Sequence, residues 1–414
     1  MRAPAALALA AVLLAAIGGC SVGAHPAAPR IGNDPMRALL ESTPALARVT
    51  AKAAHYRLQG VLGRIEPGPG GRPTLVQDGF RAGAEYFYPA SSVKLFGAVA
   101  ALERLHEIAR ESGLPITVDT PMVYHPLFAD DTLEAADPAN VETGKLTVRQ
   151  EIRKIFLVSD NQAFNHLYEL VGQERLAAML ARAGIHDAWI VHRLSEFRTA
   201  EENRRYPRID FVGEGFTYTL PERTSAPLPP PPPIPGLEVG EAYLDDDTKL
   251  DHPMDFSGKN RVPLVELQRG LCMVVRPDVD CGGPGFAELD AADRQLILEA
   301  MREFPRQSKN PVYPETDFPD DYVKFTLPGV LRVLPRDEPT IYDKVGDAYG
   351  FMIDNSYYVD DRVGHPFFLA AELYANDDGV LNDDHYDYDT VSRPFLADLG
   401  EAAVRAIWPA AGKR

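Results

Sequence analysis

The chain has 414 residues, 45% of them hydrophobic and 25% charged, with a formal net charge of −18. That length and balance can build a buried core and exclude a disordered or fibrous chain. The acidic excess argues against a nucleic-acid partner, because neutralising phosphates takes clustered Lys and Arg.

In chain order, Arg2 precedes the apolar stretch "ALALAAVLLAAIGGC", too short for an ordinary spanning helix and ending in small residues before Cys20. This leader resembles a bacterial lipoprotein signal over residues 1–19. The resemblance implies that Ile17, Gly18 and Gly19 form the processing box, that Cys20 is the lipidated first residue, and that the chain is anchored in the cell envelope facing the periplasm. The other reading is a plain secretory signal with an incidental cysteine. Residues 20–35, rich in Ala, Gly and Pro, suit a flexible tether. With Cys20 set aside, Cys272 and Cys281 remain, nine apart. In an oxidising compartment they pair; otherwise they stay reduced, and spacing alone does not decide.

One folded domain is expected over 36–414. It opens with a helix or broken helix in "MRALLESTPALARVTAKAA", a strand in "YRLQGVLGRI", the turn "PGPGGRP" and a strand near "TLVQDG". "SSVKLFGAVAALERLHEIARESG" follows as a core helix, with Val93, Phe96, Val99, Leu102 and Leu105 on its apolar face and Gly113 as its stop. "LTVRQEIRKIFLVSDNQAFNHLYELVG" is a helical pair whose first member opens on the capping-box spacing of Thr147 and Gln150. The pair breaks at Ser159-Asp160-Asn161, where short polar side chains favour caps over helix interiors. A third helix stops at Gly184.

From about 195 to 260 the texture is polar and irregular, with the run "APLPPPPPIPG", and a surface insertion is expected there. Helices return at "VPLVELQRGLCMVV" and "LDAADRQLILEAMREF". Strand-like segments at "TIYDKVGDAYGFMIDNSYYV" and "HPFFLAAELYA" and a closing helix at "FLADLGEAAVRAIW" complete the chain. Strands, helices, then strands and a helix imply that both ends meet in one sheet around a helical insert, an α/β (α+β) class.

Serine needs a base within reach and donors for the oxyanion it creates. Ser91 alone among the serines has a lysine three residues on, Lys94, and on a helix such residues share a face. A Ser at a helix start is more often a cap, and a Lys a solvated charge. Two further sites downstream add weight: Ser159-Asp160-Asn161 at the helix break, and Lys344-Val345-Gly346 in a strand-like segment.

Together these resemble the S-x-x-K, S-D-N and K-T-G elements of the penicillin-recognising serine enzymes, class A β-lactamases most closely, over about residues 50 to 410. The resemblance implies a β-lactamase/transpeptidase-like fold, an antiparallel sheet flanked by helices plus an all-helical subdomain. It also assigns roles. Ser91 attacks a carbonyl, and Lys94, neutralised by burial and by the charge of Lys344, takes its proton. Ser159 passes that proton to the departing nitrogen, and Asn161 binds the substrate amide. The backbone N–H groups of Ser91 and Asp347 form the oxyanion hole, and Gly346 leaves room for the substrate against the strand. The substrate is a small-molecule amide or β-lactam, with a peptidoglycan peptide as a further possibility; no cofactor or metal is expected.

Two departures bear on the outcome. Val345 stands where the family has Thr or Ser, so a hydroxyl that helps hold a β-lactam carboxylate is missing. The E-x-x-L-N pattern that supplies the deacylating glutamate is absent, and Glu196, in "HRLSEFRTAEEN", is the nearest candidate. Without that base an acyl-enzyme persists, as in a penicillin-binding D,D-peptidase or an esterase-like hydrolase. A non-catalytic envelope lipoprotein that binds a partner is the rival from another class. The acidic stretch around Asp377, Asp378, Asp383, Asp384 and His385 lacks the ligand order of a calcium loop and is expected to be solvated.

Overall fold

The computed structural model describes residues 31–32, 34–336, 338, 340–360 and 365–409. The leader 1–19, Cys20 and most of the tether lie outside the described residues. Ten α-helices occur among those residues: α1 Asp34–Leu40, α2 Pro44–Thr50, α3 Lys94–Ser112, α4 Val148–Leu157, α5 Asn161–Val171, α6 Gln173–Ala183, α7 Leu264–Val275, α8 Ala291–Arg302, α9 Leu327–Val330 and α10 Arg393–Ile407. No described helix is long and apolar enough to cross a membrane.

The two ends of the chain do meet in one sheet. Its seven described strands run Ile31–Gly32, Thr74–Phe80, Gln59–Glu66, Phe367–Tyr374, Phe351–Val359 and Thr340–Asp343, with Gly346–Ala348 continuing along the same neighbour, Phe351–Val359. Pairing is antiparallel except at Ile31–Gly32. The central strands are buried on both faces, and Phe351–Val359 is enclosed along almost its whole length, its mid-strand polar residues Asp354, Asn355 and Ser356 included. On one face Leu62, Met352, Leu369 and Val345 pack with α1, α2, α9 and α10. On the other, Val61, Ile353 and Phe368 join the cluster that includes α3 to α8.

Val93, at the cap of α3, and Phe96, Val99, Leu102 and Leu105 within it are buried to within 1% of full enclosure, the face expected of them. Gly113 ends it in the left-handed conformation, φ 65°, where a side chain would be strained. Thr147 caps α4 by accepting from Gln150 N at 3.2 Å, and Asp160 caps α5 by accepting from Ala163 N at 2.8 Å. α4 and α5 therefore start and stop where their polar side chains supply partners for free backbone groups.

The expected irregular insertion is a set of short paired strands. Ile209–Gly213 pairs with Met122–Tyr124 and Phe216–Leu220, and Ala242–Asp245 pairs with Thr248–Leu250 and Val380–Leu381. Tyr206, Phe211, Val239 and Phe256 are core residues. These strands are two to five residues long, too short for alternation to stand out in a sequence. The proline run forms neither helix nor strand and is held at two points, where Arg261 Nη1 donates to Pro232 O at 2.5 Å and Tyr86 N to Pro235 O at 2.8 Å. Cys272, on α7, is disulfide-bonded to Cys281.

Candidate active site

Three separate stretches converge between the sheet and α3 to α5. Ser91 lies in a 3-10 turn, Ala90–Val93, and Lys94 opens α3 directly after it. Ala90, just before the serine, has φ 45°, a strained conformation for a residue with a side chain. The second stretch is the α4–α5 break, where Ser159 is also left-handed at φ 57°. The third is the strand edge from Lys344 to Asp347.

Ser159 lies between the two amines. Its Oγ accepts from Lys94 Nζ at 3.2 Å and from Lys344 Nζ at 3.0 Å. A hydroxyl has two lone pairs and one proton. With both lone pairs taken by amines, the Ser159 proton is the part left to point into the cleft. Lys94 Nζ also donates to Asn161 Oδ1 at 2.6 Å and to the Ser159 carbonyl. It makes no hydrogen bond to Ser91, whose Oγ has no hydrogen-bond partner among the described residues. Three acceptors suit an ammonium; after loss of one proton the amine keeps two donors and gains a lone pair.

Burial, and then the charge of Lys344, holds Lys94 well below the usual lysine range, although Asp160 and Asp347 pull the other way. Lys344 is itself lowered to about 8, chiefly by burial and against the pull of Asp343 and Asp347. Behind it lies an ion pair that no short motif announces. Lys324, fully buried, bonds Asp343 and donates to Met301 O at 2.6 Å. Burial pushes the Asp343 carboxyl up to about 7, with Lys324 opposing.

The strand edge is oriented by register. Lys344 N donates to Asn355 O at 3.1 Å, Gly346 lies opposite Ile353, and Asp347 lies opposite Met352. Antiparallel pairs alternate between exchanging hydrogen bonds and not. Lys344 and Gly346 therefore bond inward to the neighbouring strand, and Val345 and Asp347 turn their N–H and C=O to the free edge. Val345 O accepts there from Lys344 Nζ at 2.8 Å. That edge abuts the Ser91 turn so closely that a Cβ on Gly346 would sit 2.7 Å from Ser91 N and 2.8 Å from Pro89 O.

Asn161 and the loop after α6 complete the surround. Asn161 Nδ2 donates to Ser195 Oγ at 2.7 Å. Asn165 clamps the same loop, accepting from Leu194 N at 2.8 Å and donating to Leu194 O at 3.0 Å. Glu196, the carboxylate expected to serve deacylation, accepts from Arg198 Nε at 2.7 Å and Asn165 Nδ2 at 3.3 Å. Neither Ser91, Lys94 nor Ser159 is among its partners. Ser195, one residue earlier, is the group that reaches Asn161, and the sequence offered no pattern that singled it out. Beside it a cavity of about 280 Å³ is lined by Asn161, Ser195, Glu196, Glu134 and His166.

Residues 78–213, which hold the Ser91 turn and the α4–α5 break, match the Beta-lactamase enzyme family. That segment is β-lactamase-like. No curated protein matches the chain. Similar solved structures include a β-lactamase from Desulfarculus baarsii DSM 2075, 17% identical over 88% of this chain and 97% of that one, TM-score 0.46. A class A β-lactamase from Clostridium kluyveri DSM 555 is 15% identical over 87% and 98%, TM-score 0.47. A β-lactamase from Burkholderia vietnamiensis is 17% identical over 89% and 97%, TM-score 0.45. The sheet with its flanking helices and helical subdomain is the β-lactamase-like arrangement of an α/β chain. The chemistry rests on the chain's own residues.

Proposed function

We propose that the chain is an active-site serine hydrolase of the β-lactamase-like kind, acylated at Ser91 by an amide or cyclic amide. The observation that carries this reading is the shared Ser159 hydroxyl between Lys94 and Lys344, beside an unengaged Ser91. In the acylation step neutral Lys94 removes the Ser91 proton as Oγ bonds to the carbonyl carbon. The carbonyl oxygen becomes an oxyanion facing the N–H groups of Ser91 and Asp347, a type of contact often worth ~3 kcal/mol. As the tetrahedral adduct collapses the C–N bond breaks. Ser159 gives its proton to the nitrogen and is reprotonated from Lys94.

Deacylation is slow in this reading, because the loop supplies the Ser195 hydroxyl beside Asn161 and holds the Glu196 carboxylate on Arg198. The behaviour is then closer to a penicillin-binding D,D-peptidase or an esterase-like enzyme than to an efficient β-lactamase. Incubation with a serine-directed phosphonate, followed by peptide mass spectrometry, is expected to find the adduct on Ser91 and to lose it in S91A. An unlabelled Ser91 sinks the reading in favour of a non-catalytic envelope protein.

The same proposal puts the chain in the bacterial cell envelope, lipid-anchored through Cys20 and facing the periplasm, where a peptidoglycan peptide is within reach. Its support is the leader composition and a disulfide of the kind that oxidising compartments favour. Metabolic labelling with a palmitate analogue tests it, with C20A expected to abolish incorporation.

A further inference from the structure

Asp293 puts a carboxylate on the buried face of α8, one turn ahead of Leu296 and Ile297. A carboxylate out of water needs partners. Its Oδ2 has no hydrogen-bond partner among the described residues, although the residue is only 5% exposed. Beside it stands an imidazole: His106 Nε2, on α3, is 3.2 Å from that oxygen but misaligned for a hydrogen bond to it.

A third donor comes from the cap of the same helix. Asp290 Oδ1 accepts from Asp293 N at 2.9 Å, which holds an exposed carboxylate over the first turn. One donor atom from each of His106, Asp290 and Asp293 lies within 4.8 Å of the other two, the one such triad of His, Cys, Asp or Glu among the described residues. The basic side chains next along the two helices are committed elsewhere, Arg110 to Glu288 at 3.8 Å and Arg294 to Met273 O at 2.8 Å.

We propose that His106, Asp290 and Asp293 form a zinc site that ties α3 to the start of α8. The donor set decides the class of ion: one imidazole nitrogen with two carboxylate oxygens suits zinc, whereas calcium and magnesium take shells of oxygen alone. Two donors bound to one zinc at the tetrahedral angle, each at ~2.0–2.1 Å, are about 3.3 Å apart. His106 Nε2 and Asp293 Oδ2 stand at nearly that spacing, which explains a close pair that is not hydrogen-bonded. Water completes the shell on the exposed Asp290 side. His106 is twelve residues along α3 from Lys94, roughly 18 Å at the helical rise. The zinc therefore takes no part in chemistry at Ser91 and fastens the far end of the helix that carries Lys94.

The test is calorimetric titration of the untagged protein, stripped with a chelator, with zinc chloride. One equivalent is expected to bind, with affinity reduced about tenfold or more in H106Q and in D290N. D290N keeps the helix cap, since Asn caps as well as Asp, and H106Q alters a part-exposed side chain. Melting curves of the stripped proteins report whether each variant folds, and either one alone decides the matter if the other does not. Cobalt in place of zinc should give the visible absorption of a tetrahedral site, lost in H106Q. No uptake of zinc leaves a plain histidine–carboxylate ion pair and overturns the proposal. Uptake that neither substitution weakens puts the ion elsewhere and overturns it too.

Discussion

Lys94 and Lys344 donate to one acceptor, the hydroxyl of Ser159, at 3.2 and 3.0 Å. Two amines that close cannot both hold a proton cheaply in a buried site. Burial and the charge of Lys344 hold Lys94 well below the usual lysine range, where it can serve as a neutral base.

Acylation should therefore follow a bell-shaped pH profile. The rate rises as Lys94 deprotonates, below the ordinary lysine range, and falls as Lys344 loses its charge near 8. K344R keeps a cation at all accessible pH and should remove the alkaline fall. Stopped-flow acylation by a chromogenic ester from pH 5 to 10 measures this; an unchanged alkaline limb in K344R contradicts the assignment.

Ser195 is the second place where chemistry can be altered by one side chain. S195E sets a carboxylate beside Asn161, where the hydroxyl now accepts a 2.7 Å bond. A general base in that position is expected to speed deacylation about 100-fold. The native protein should give a burst with slow turnover, and S195E steady turnover. Equal burst amplitudes and turnover in both would show that the loop does not face the acyl group.

At Gly346 the clash would be with backbone. G346A brings a Cβ to 2.7 Å from Ser91 N and 2.9 Å from Ser92 N, neither of which can rotate away. The variant should fold, lose about 2 kcal/mol of stability from forced displacement, and lose labelling of Ser91 by the phosphonate. Thermal melts alongside labelling check both parts.

The buried His166 provides a signature in stability rather than rate. Burial alone would keep it neutral, but its hydrogen bonds to the carboxylates of Glu134 and Glu151 outweigh that and raise it to about 10. Its folded pKa lies above its unfolded value of 6.5, so its contribution is complete below about pH 6.5 and is lost as pH climbs through about 10. H166Q should lower stability at pH 6 by about 3 kcal/mol, since it leaves Glu151 with less compensation. The gap to native should narrow by pH 10, as urea unfolding at each pH will report.

Reduction of Cys272–Cys281 opens a short loop between α7 and the segment after it. Closing a loop of this size is worth about 2 to 3 kcal/mol in chain entropy. C272S/C281S should melt lower by that margin while Ser91 remains reactive, because neither sulfur touches the cleft.

Much of this was readable in the sequence where the signal is local. Thr147 with Gln150, the apolar face from Val93 to Leu105, and the stops at Gly113 and Gly184 each reflect hydrogen bonding or packing within a turn or two. The Ser91, Ser159 and Lys344 stretches were recognisable by residue type and order. Their mutual distances were not, since they depend on a sheet joining residue 59 to residue 374. Three things stayed hidden for the same reason. Lys324 and Asp343 meet across nineteen residues. Ser195 gains its place from the Asn165 clamp on Leu194. The short strands after residue 205 are held by partners as distant as Val380. The hydrogen bonds of the Lys94 amine, to Ser159 and Asn161 of the α4–α5 break, were likewise not legible from the spacing of Ser91 and Lys94.

The alternation along residues 344 to 347 makes the cleft sensitive to parity. Inserting or deleting one residue between Asp343 and Gly346 would exchange inward and outward positions, sending an amine into the oily layer beneath and a valine toward Ser159. Two residues would restore the order. Mutational drift in this stretch is thus confined to replacements and even-numbered changes in length, a constraint that hydrophobicity alone would never impose.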